Sequence, residues 1–557
     1  MSVSTTTFAD AVRKEVSEKC HGWNGAVEYT SKGVENNIVA FFYKLVRGLT
    51  SQEIFNYVEM ISNERNTKLN ADMVVLAFQT RATRNIGKGE RKLFYDMIMA
   101  FQKYLGEDVV LEILCFIPEY GYYKDYLYLM NHPECSNNVY NECMNILCKQ
   151  ISKDSKLCEN GKHKEISLLG KYMPREKGAF TEIAFKIADK MFDGNKHSKM
   201  RKYRKMLSKI NKDGIQTVTE VFMCDNNFSS IDFTKVSSIC LKRNRKAFLN
   251  LKHGGIQQRH NTQDRIEARN NLLNTLNTQK VHGGELFPYD IVKAFCLKSL
   301  SQEETEVLES QWSDMRSKLL DIMNDNNLRT DNMIVMSDVS GSMFMNNYTP
   351  LAVSISLGIL FSEISTSMYK NLVLTFDTDP RFVILDECKN IGEKVAKLAK
   401  APWGFTTDIL KAMKLVLNVA EKYNVETIPN ILIVSDMQFD SACGLSSETT
   451  HYEYIKQEFE NSGKRLGRQW NIPKIIFWNV SERTQGFPVK ASQENTYLMS
   501  GFSPSLFKYI FSENIGNQSD KLFEKVITDP AFDKIRLALS NMTSGTFSNY
   551  NFTTSIS

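Results

Sequence analysis

Asp338, Ser340 and Ser342 fall within five residues, directly after the apolar run Met333 to Met336. One carboxylate and two hydroxyls delivered by the end of a strand form an oxygen-only donor set, which suits a hard divalent cation such as Mg²⁺. Two further residues can join them. Asp436 follows the run Ile431 to Val434, and Thr407 opens a helical pattern that reaches Tyr423. In a doubly wound sheet the loops after the carboxyl ends of the strands converge, so three separate segments can supply one site. As a turn alone, Asp-Val-Ser-Gly-Ser would mean little, because Asp, Ser and Gly all favour turns. The strand before it, the helical segment Leu351 to Ile364 after it, and the Thr and Asp partners in order favour the metal reading.

No catalytic constellation accompanies these residues. A phosphoaspartyl loop needs a second acid where Ser340 stands, and the chain has no Gly-x-Ser-x-Gly elbow, phosphate-binding Gly-Lys-Ser/Thr loop or Gly-x-Gly-x-x-Gly turn. His451 lies in a polar stretch with no nucleophile beside it. A non-enzymatic protein is expected, with a metal-dependent hydrolase as the weakest alternative. His132, Cys135, Cys143, Cys148, Cys158 and His163 lie close in sequence but match no paired Cys-x-x-Cys spacing. Buried thiols are the preferred reading there, rather than zinc.

A second chemistry is carried by cations. Arg81, Arg84, Lys88 and Arg91 flank a glycine-broken helix junction around Gly87 and Gly89, where amides and guanidinium groups could cradle phosphates. Between Lys196 and Lys212 lie Lys199, Arg201, Lys202, Arg204, Lys205 and Lys209. A second cluster holds Lys242, Arg243, Arg245, Lys246, Lys252, Arg259 and Arg265. Against a formal net charge of only +5, such clusters are either solvated helix faces or a phosphate-binding surface. Tyr203 and Phe248 within them could stack on bases, although core packing is favoured for both.

The elements that must position these residues differ along the chain. A length of 557 residues implies two or more domains, and 42% hydrophobic with 24% charged residues is a globular balance. Eleven scattered cysteines, an odd number, favour a reducing compartment. No apolar run approaches the roughly 18–20 residues of a membrane span, and Met1 to Asp10 is polar, so no membrane association is expected. Residues 1–34 read as a polar N-terminal segment, and 35–325 as helices with short connectors, a bundle or an α-solenoid. Within 326–515, strand-length runs alternate with helical patterns: 333–336, 372–376, 382–385, 431–434, 475–478 and 496–499. That alternation predicts a mainly parallel α/β sheet, with 372–376 and 382–385 too tightly linked to be anything but an antiparallel hairpin. A C-terminal helix is expected over 516–540, and a frayed Ser/Thr/Asn-rich tail over 541–557.

The order Asp338-x-Ser340-x-Ser342, then Thr407, then Asp436 resembles the metal-ion-dependent adhesion site of von Willebrand factor A domains. That resemblance implies a doubly wound, Rossmann-like domain holding Mg²⁺. Ser340, Ser342 and Thr407 would touch the ion, with Asp338 and Asp436 acting mostly through water. Phe405-Thr406 stands where that family often has glycine. Further runs include Phe78 to Arg91, Ile117 to Asp125, Lys171 to Glu176, Tyr203-Arg204-Lys205, Gly283 to Pro288, Gln311-Trp312 and Phe477-Trp478-Asn479. Together, across about residues 35–540, they resemble a family of uncharacterised proteins similar to the TROVE-type Ro autoantigens. This implies HEAT-like helical repeats joined to a von Willebrand A domain, and binding of structured or single-stranded RNA as part of a ribonucleoprotein. Arg81, Arg84, Lys88, Arg91, Lys199, Arg201, Lys202, Arg204 and Lys205 would then meet phosphates. The second expectation is a protein partner whose acidic residue completes the metal site. Members of the family occur in cellular organisms and large DNA viruses, which implies a cytoplasmic protein or a virion component.

Overall fold

Alternating strands and helices after residue 330 build a six-stranded sheet in the computed structural model. The structure describes residues 18–543 apart from 84–85, 216–217, 253–257, 298, 329–331, 366–367, 377–378, 400–407, 441–448, 471 and 512–517. Two short strands come first, β1 (Lys19–His21) and β2 (Val27–Tyr29), paired antiparallel. The large sheet follows: β3 (Met333–Asp338), β4 (Leu372–Phe376), β5 (Arg381–Ile384), β6 (Asn430–Ser435), β7 (Ile475–Asn479) and β8 (Thr496–Ser500). Its order is β5-β4-β3-β6-β7-β8. All neighbours are parallel except β4 and β5, which form the tight antiparallel pair that their short link requires.

The order reverses between β3 and β6. The chain lays β4 and β5 on one side of β3, then returns to lay β6, β7 and β8 on the other. Loops leaving β3 and β6 therefore diverge, opening a crevice at their carboxyl ends. β3 is buried along its whole length, as a strand covered on both faces must be. Helix Met345–Ile364 packs against β3, β4 and β6. Its approach needs Gly358, where a Cβ would lie 2.1 Å from Ser337 Oγ.

Packing divides the chain into two compact units, each drawn from segments distant in sequence. The first comprises Met1–Leu49, Arg84–Lys88 and Asp232–Thr528 and contains the sheet. Helices Pro288–Leu297 and Gln302–Asp325 belong to it and pack against Met345–Ile364. A buried polar cluster ties them there: Trp312 Nε1 donates to Glu363 at 2.9 Å, and Lys394 pairs with the same carboxylate at 2.5 Å. The second unit comprises Thr50–Thr83, Gly89–Ile231 and Asp529–Ser557, and its secondary structure among the described residues is helical. In it, Asp533–Thr543 packs on Thr67–Arg81. The single helix expected over 516–540 is broken into Ser519–Ile527 and Asp533–Thr543. Pro530 explains the break, since it lacks an amide hydrogen and starts a short 3₁₀ turn capped by Asp529. The tail beyond 543 lies outside the described residues.

The β1–β2 hairpin, inside the stretch read as a polar segment, is anchored through a buried acid. Glu28 is 4% exposed, accepts from Gly486 N at 2.7 Å, and burial pushes its pKa up to about 7, opposed by that hydrogen bond and by Lys44. A carboxyl raised in the folded state gives its full contribution to stability below its ordinary value near 4.5 and loses it as pH rises through about 7. Thermal melts of Glu28→Gln should therefore match wild type below that range. Above it the variant should be more stable, by up to about 3 kcal/mol. A difference that ignores pH would count against this account.

Candidate functional site

Asp338 closes β3 and Asp436 follows β6, so both stand at the crevice where the strand order reverses. Both side chains are buried. Asp338 accepts from Ser340 N at 2.9 Å through one oxygen and from the Ser435 hydroxyl at 2.5 Å through the other. Asp436 accepts from Gln438 N at 3.2 Å. Ser340 and Ser342 present hydroxyls 3.1 Å apart beside them. Burial, then the neighbouring Asp436 charge, pushes the Asp338 carboxyl upward, and burial does the same to Asp436. Neither carboxylate forms an ion pair among the described residues, although Arg483 exerts a favourable field on Asp436. Two buried, mutually repelling acids, served only by neutral donors that include the Ser340 and Ser342 hydroxyls, fit a bound cation, which would supply the missing positive charge. Thr407 lies outside the described residues. Asp408 caps helix Ile409–Lys422, accepting from Lys411 N at 3.0 Å, so the expected helix starts beside it.

Both loops leaving the site carry backbone strain. Met437, next to Asp436, is left-handed with φ 60° although its side chain is buried. After Ser342, Asn346, Asn347 and Tyr348 are left-handed in succession, with φ of 50°, 56° and 61°. Asn tolerates this region, whereas Met and Tyr are outliers in it, each costing on the order of 1–3 kcal/mol.

Several supporting residues carried no signal in the sequence. Thr484 Oγ donates to the Asp436 carbonyl at 2.9 Å. The loop bearing Thr484 is in turn held by buried Lys44, whose ammonium donates to the carbonyls of Thr484, Gln485 (2.9 Å) and Gly486 (3.3 Å). Asn24, at the hairpin tip, donates to the Gln438 carbonyl at 2.8 Å.

Burial corrects part of the basic set. Arg81 is 1% exposed and its Nε donates to Asp125 at 2.8 Å, while Tyr95 donates to the other oxygen of that carboxylate at 2.5 Å. Lys88 is fully buried, donating to the carbonyls of Phe42 (2.9 Å) and Leu45 (3.1 Å) and to Ser500 Oγ (2.8 Å). Neither can reach a phosphate at the surface. Arg84 lies outside the described residues, and Arg91 is exposed at the start of helix Arg91–Tyr104. On helix Lys196–Lys209, Lys199 pairs with Asp189 at 2.6 Å, Arg204 pairs with Glu176 at 2.7 Å, and Lys202 donates to the Asp193 carbonyl at 2.9 Å. Arg201, Lys205 and Lys209 are exposed and form no ion pair among the described residues. In the second cluster Lys242 pairs with Asp290 and Arg245 with Glu304. Tyr203 donates to the Pro174 carbonyl, and Phe248 packs edge-on to Phe233, so both belong to the core.

Among the described residues no group of three or more His, Cys, Asp and Glu side chains could hold a metal, and Cys143, Cys148 and Cys158 are buried free thiols. No helix among those residues is long and apolar enough to cross a membrane.

Residues 332–542 match a domain of unknown function (DUF7788), and residues 120–323 match a second (DUF2828). Over 540 residues the chain is 28% identical to the uncharacterized protein L728 of Acanthamoeba polyphaga mimivirus, covering 91% of this chain and 88% of that protein. These similarities support kinship with an uncharacterised family.

The buried cations should reveal themselves through stability. Arg81→Met leaves Asp125 buried without its partner and should cost about 3–5 kcal/mol. Lys88→Met abandons two helix-end carbonyls and should cost about 2–4 kcal/mol. Urea denaturation measures both, and losses within about 0.5 kcal/mol, the range of an exposed residue, would contradict these roles.

Proposed function

We propose that the chain is a non-enzymatic binding protein whose α/β unit is a von Willebrand A-like domain holding Mg²⁺ or a similar cation. Ser340, Ser342 and Thr407 are its direct ligands, Asp338 and Asp436 act through water, and an acidic side chain of a protein partner completes the coordination. The observation that carries this reading is the pair of buried, repelling carboxylates at the reversal of strand order, with no cationic side chain paired to them among the described residues. Supporting it, both Asp338 oxygens are already engaged by Ser340 N and the Ser435 hydroxyl, which suits an indirect role. The bound ion supplies Lewis acidity toward an incoming carboxylate, and a donor set rich in neutral hydroxyls preserves that acidity.

Calorimetric titration of the full chain with MgCl₂ should show one site. Asp338→Ala and Ser340→Ala should weaken it at least about tenfold, which corresponds to 1.4 kcal/mol, with circular dichroism unchanged. Bound cation should also raise the melting temperature of wild type and not of Asp338→Ala. Wild type that takes up neither Mg²⁺ nor Mn²⁺ would rule the reading out.

RNA binding by a HEAT-like helical unit is a second reading, favoured by the stripe Arg201, Lys205 and Lys209. These recur every four residues on one helix face and carry no acidic partner among the described residues. Reversing all three to Glu should weaken single-stranded RNA binding in anisotropy titrations. The slope of log affinity against log salt should fall by about 2. Affinity and slope both unchanged in that variant would remove this surface from consideration.

A further inference from the structure

The β1–β2 hairpin ends in a tight turn, where Gly22 N donates to the Ala26 carbonyl at 2.8 Å and Gly25 N to the Gly22 carbonyl at 2.9 Å. Trp23 at this tip is 74% exposed, whereas Trp312, Trp470 and Trp478 are buried. A single exposed apolar side chain is ordinary at a protein surface. What distinguishes Trp23 is where the fold fixes it. Asn24 donates to the Gln438 carbonyl at 2.8 Å, and Gly25 pairs with Asp440 in an antiparallel bridge. Gln438 N in turn donates to the Asp436 carboxylate at 3.2 Å. Trp23 therefore stands one residue from a hydrogen-bonded chain that ends on Asp436.

The base of the hairpin is held as firmly as its tip. Tyr29 and Phe487 exchange both backbone hydrogen bonds, at 2.8 and 2.9 Å, and Glu28 accepts from Gly486 N. An indole on so firm a support loses little freedom when a partner covers it, which favours a binding hot spot. The turn that follows Ser342 is apolar as well, since Met345 and Tyr348 are exposed on it. Asn346, between them, donates to Glu482 at 3.0 Å, which ties that turn to the loop after β7. Thr484 of the same loop donates to the Asp436 carbonyl. Ser342 is half-buried, while Asp338 and Asp436 lie deeper. A cation held there would be a charged centre with exposed apolar side chains on the segments around it. That pattern matches a ligand bearing a carboxylate and an apolar group side by side.

We propose that Trp23 determines which partner the cation site accepts: an acidic protein segment with a large apolar side chain next to the carboxylate that reaches the ion. That apolar side chain packs on the indole. The inference rests on the cation reading of Asp338 and Asp436, and adds to it the sequence character of the partner. Covering roughly half of the exposed indole is enough for at least about a tenfold gain in affinity.

With MgCl₂ in excess, the full chain is titrated with the blocked tripeptides Phe-Asp-Phe, Ala-Asp-Ala and Phe-Asn-Phe, followed by tryptophan fluorescence and calorimetry. Phe-Asp-Phe should bind at least about tenfold more tightly than Ala-Asp-Ala and shift the emission to the blue, and Phe-Asn-Phe should not saturate. Trp23→Ala should remove both the fluorescence change and the preference for phenylalanine, with the MgCl₂ titration and melting temperature as in wild type. Tyr423→Ala, at another exposed aromatic position, should bind as wild type does. Equal affinity of Phe-Asp-Phe and either other tripeptide overturns the proposal, as does a preference that survives Trp23→Ala. Failure of Phe-Asp-Phe to saturate up to about 10 mM, beyond the ordinary millimolar limit of specific binding, overturns it too. A wild-type dimer that Trp23→Ala dissolves has the same force, because a second copy then covers the indole. Wild type that takes up no Mg²⁺ sinks the cation reading and this inference with it, whereas Mg²⁺ uptake without the preference sinks this inference alone.

Discussion

Two carboxylates buried at the ends of neighbouring central strands set the terms for the α/β unit. Asp338 and Asp436 are withdrawn from water, and the charge of Asp436 bears on Asp338. An arrangement of this kind is tolerable only when each acid is either protonated or matched by positive charge. The surrounding structure goes part of the way. Ser340 N and Ser435 serve Asp338, Gln438 N serves Asp436, and the Thr484 hydroxyl fixes the backbone beneath Asp436. These are neutral donors, so the electrostatic deficit persists and strained turns hold the acids in place despite it.

The positive charges that the fold does bury are spent elsewhere. Lys44 gathers three carbonyls of the loop 484–486, and Lys88 gathers two carbonyls at the end of helix Asn37–Lys44. Helix ends leave carbonyls without amide partners, and an ammonium with three donors can satisfy several at once. Each lysine also lies over an aromatic ring, Lys44 over Phe487 at 4.8 Å and Lys88 over Phe42 at 4.4 Å. Arg81 performs the equivalent task in the helical unit, where Asp125 joins it to Tyr95 and to Tyr122 N. Gly121 is needed there, since a Cβ at that position would lie 2.2 Å from the Asp125 carboxylate. Arg81 of the 78–91 run is thereby bound up with Asp125 of the 117–125 run inside the helical unit.

This explains which parts of the molecule were legible in its sequence. The six strands of the large sheet were, because short β-branched and aromatic runs with helical patterns between them leave few alternatives. The nearness of Asp338, Ser340, Ser342 and Asp436 was legible for a related reason: Asp338 closes β3, the two serines lie in the turn after it, Asp436 follows β6 directly, and topology brings such positions together. Partnerships across the chain were not. Asp125 lies 44 residues from Arg81, and carbonyl acceptors such as Phe42 and Leu45 leave no mark in residue type. Counting lysines and arginines likewise overstates free charge, since Asp189, Glu176, Asp290 and Glu304 each neutralise one. Periodicity marks helices but not their destination, so it could not foretell that Gln302–Asp325 would be drawn to the sheet unit through Trp312 and Glu363.

The chemistry of the donor set bears on what the proposed cation would do. A storage or structural site for a divalent ion gains affinity from each added carboxylate, which also quenches the ion's charge. Here Ser340 and Ser342 offer neutral oxygens, and both oxygens of Asp338 are already occupied by protein donors. An ion held this way is bound modestly and keeps most of its charge. A coordination position left open by these ligands would be filled from outside the chain, and a partner carboxylate is the simplest group to fill it on this proposal. Left-handed backbone at Met437 and at Asn346 to Tyr348 fits the same logic, because strained turns flanking an incomplete coordination shell can relax when the shell is filled. On this reading the weakness of the site for the cation alone is what makes binding of the ion and binding of the partner depend on each other.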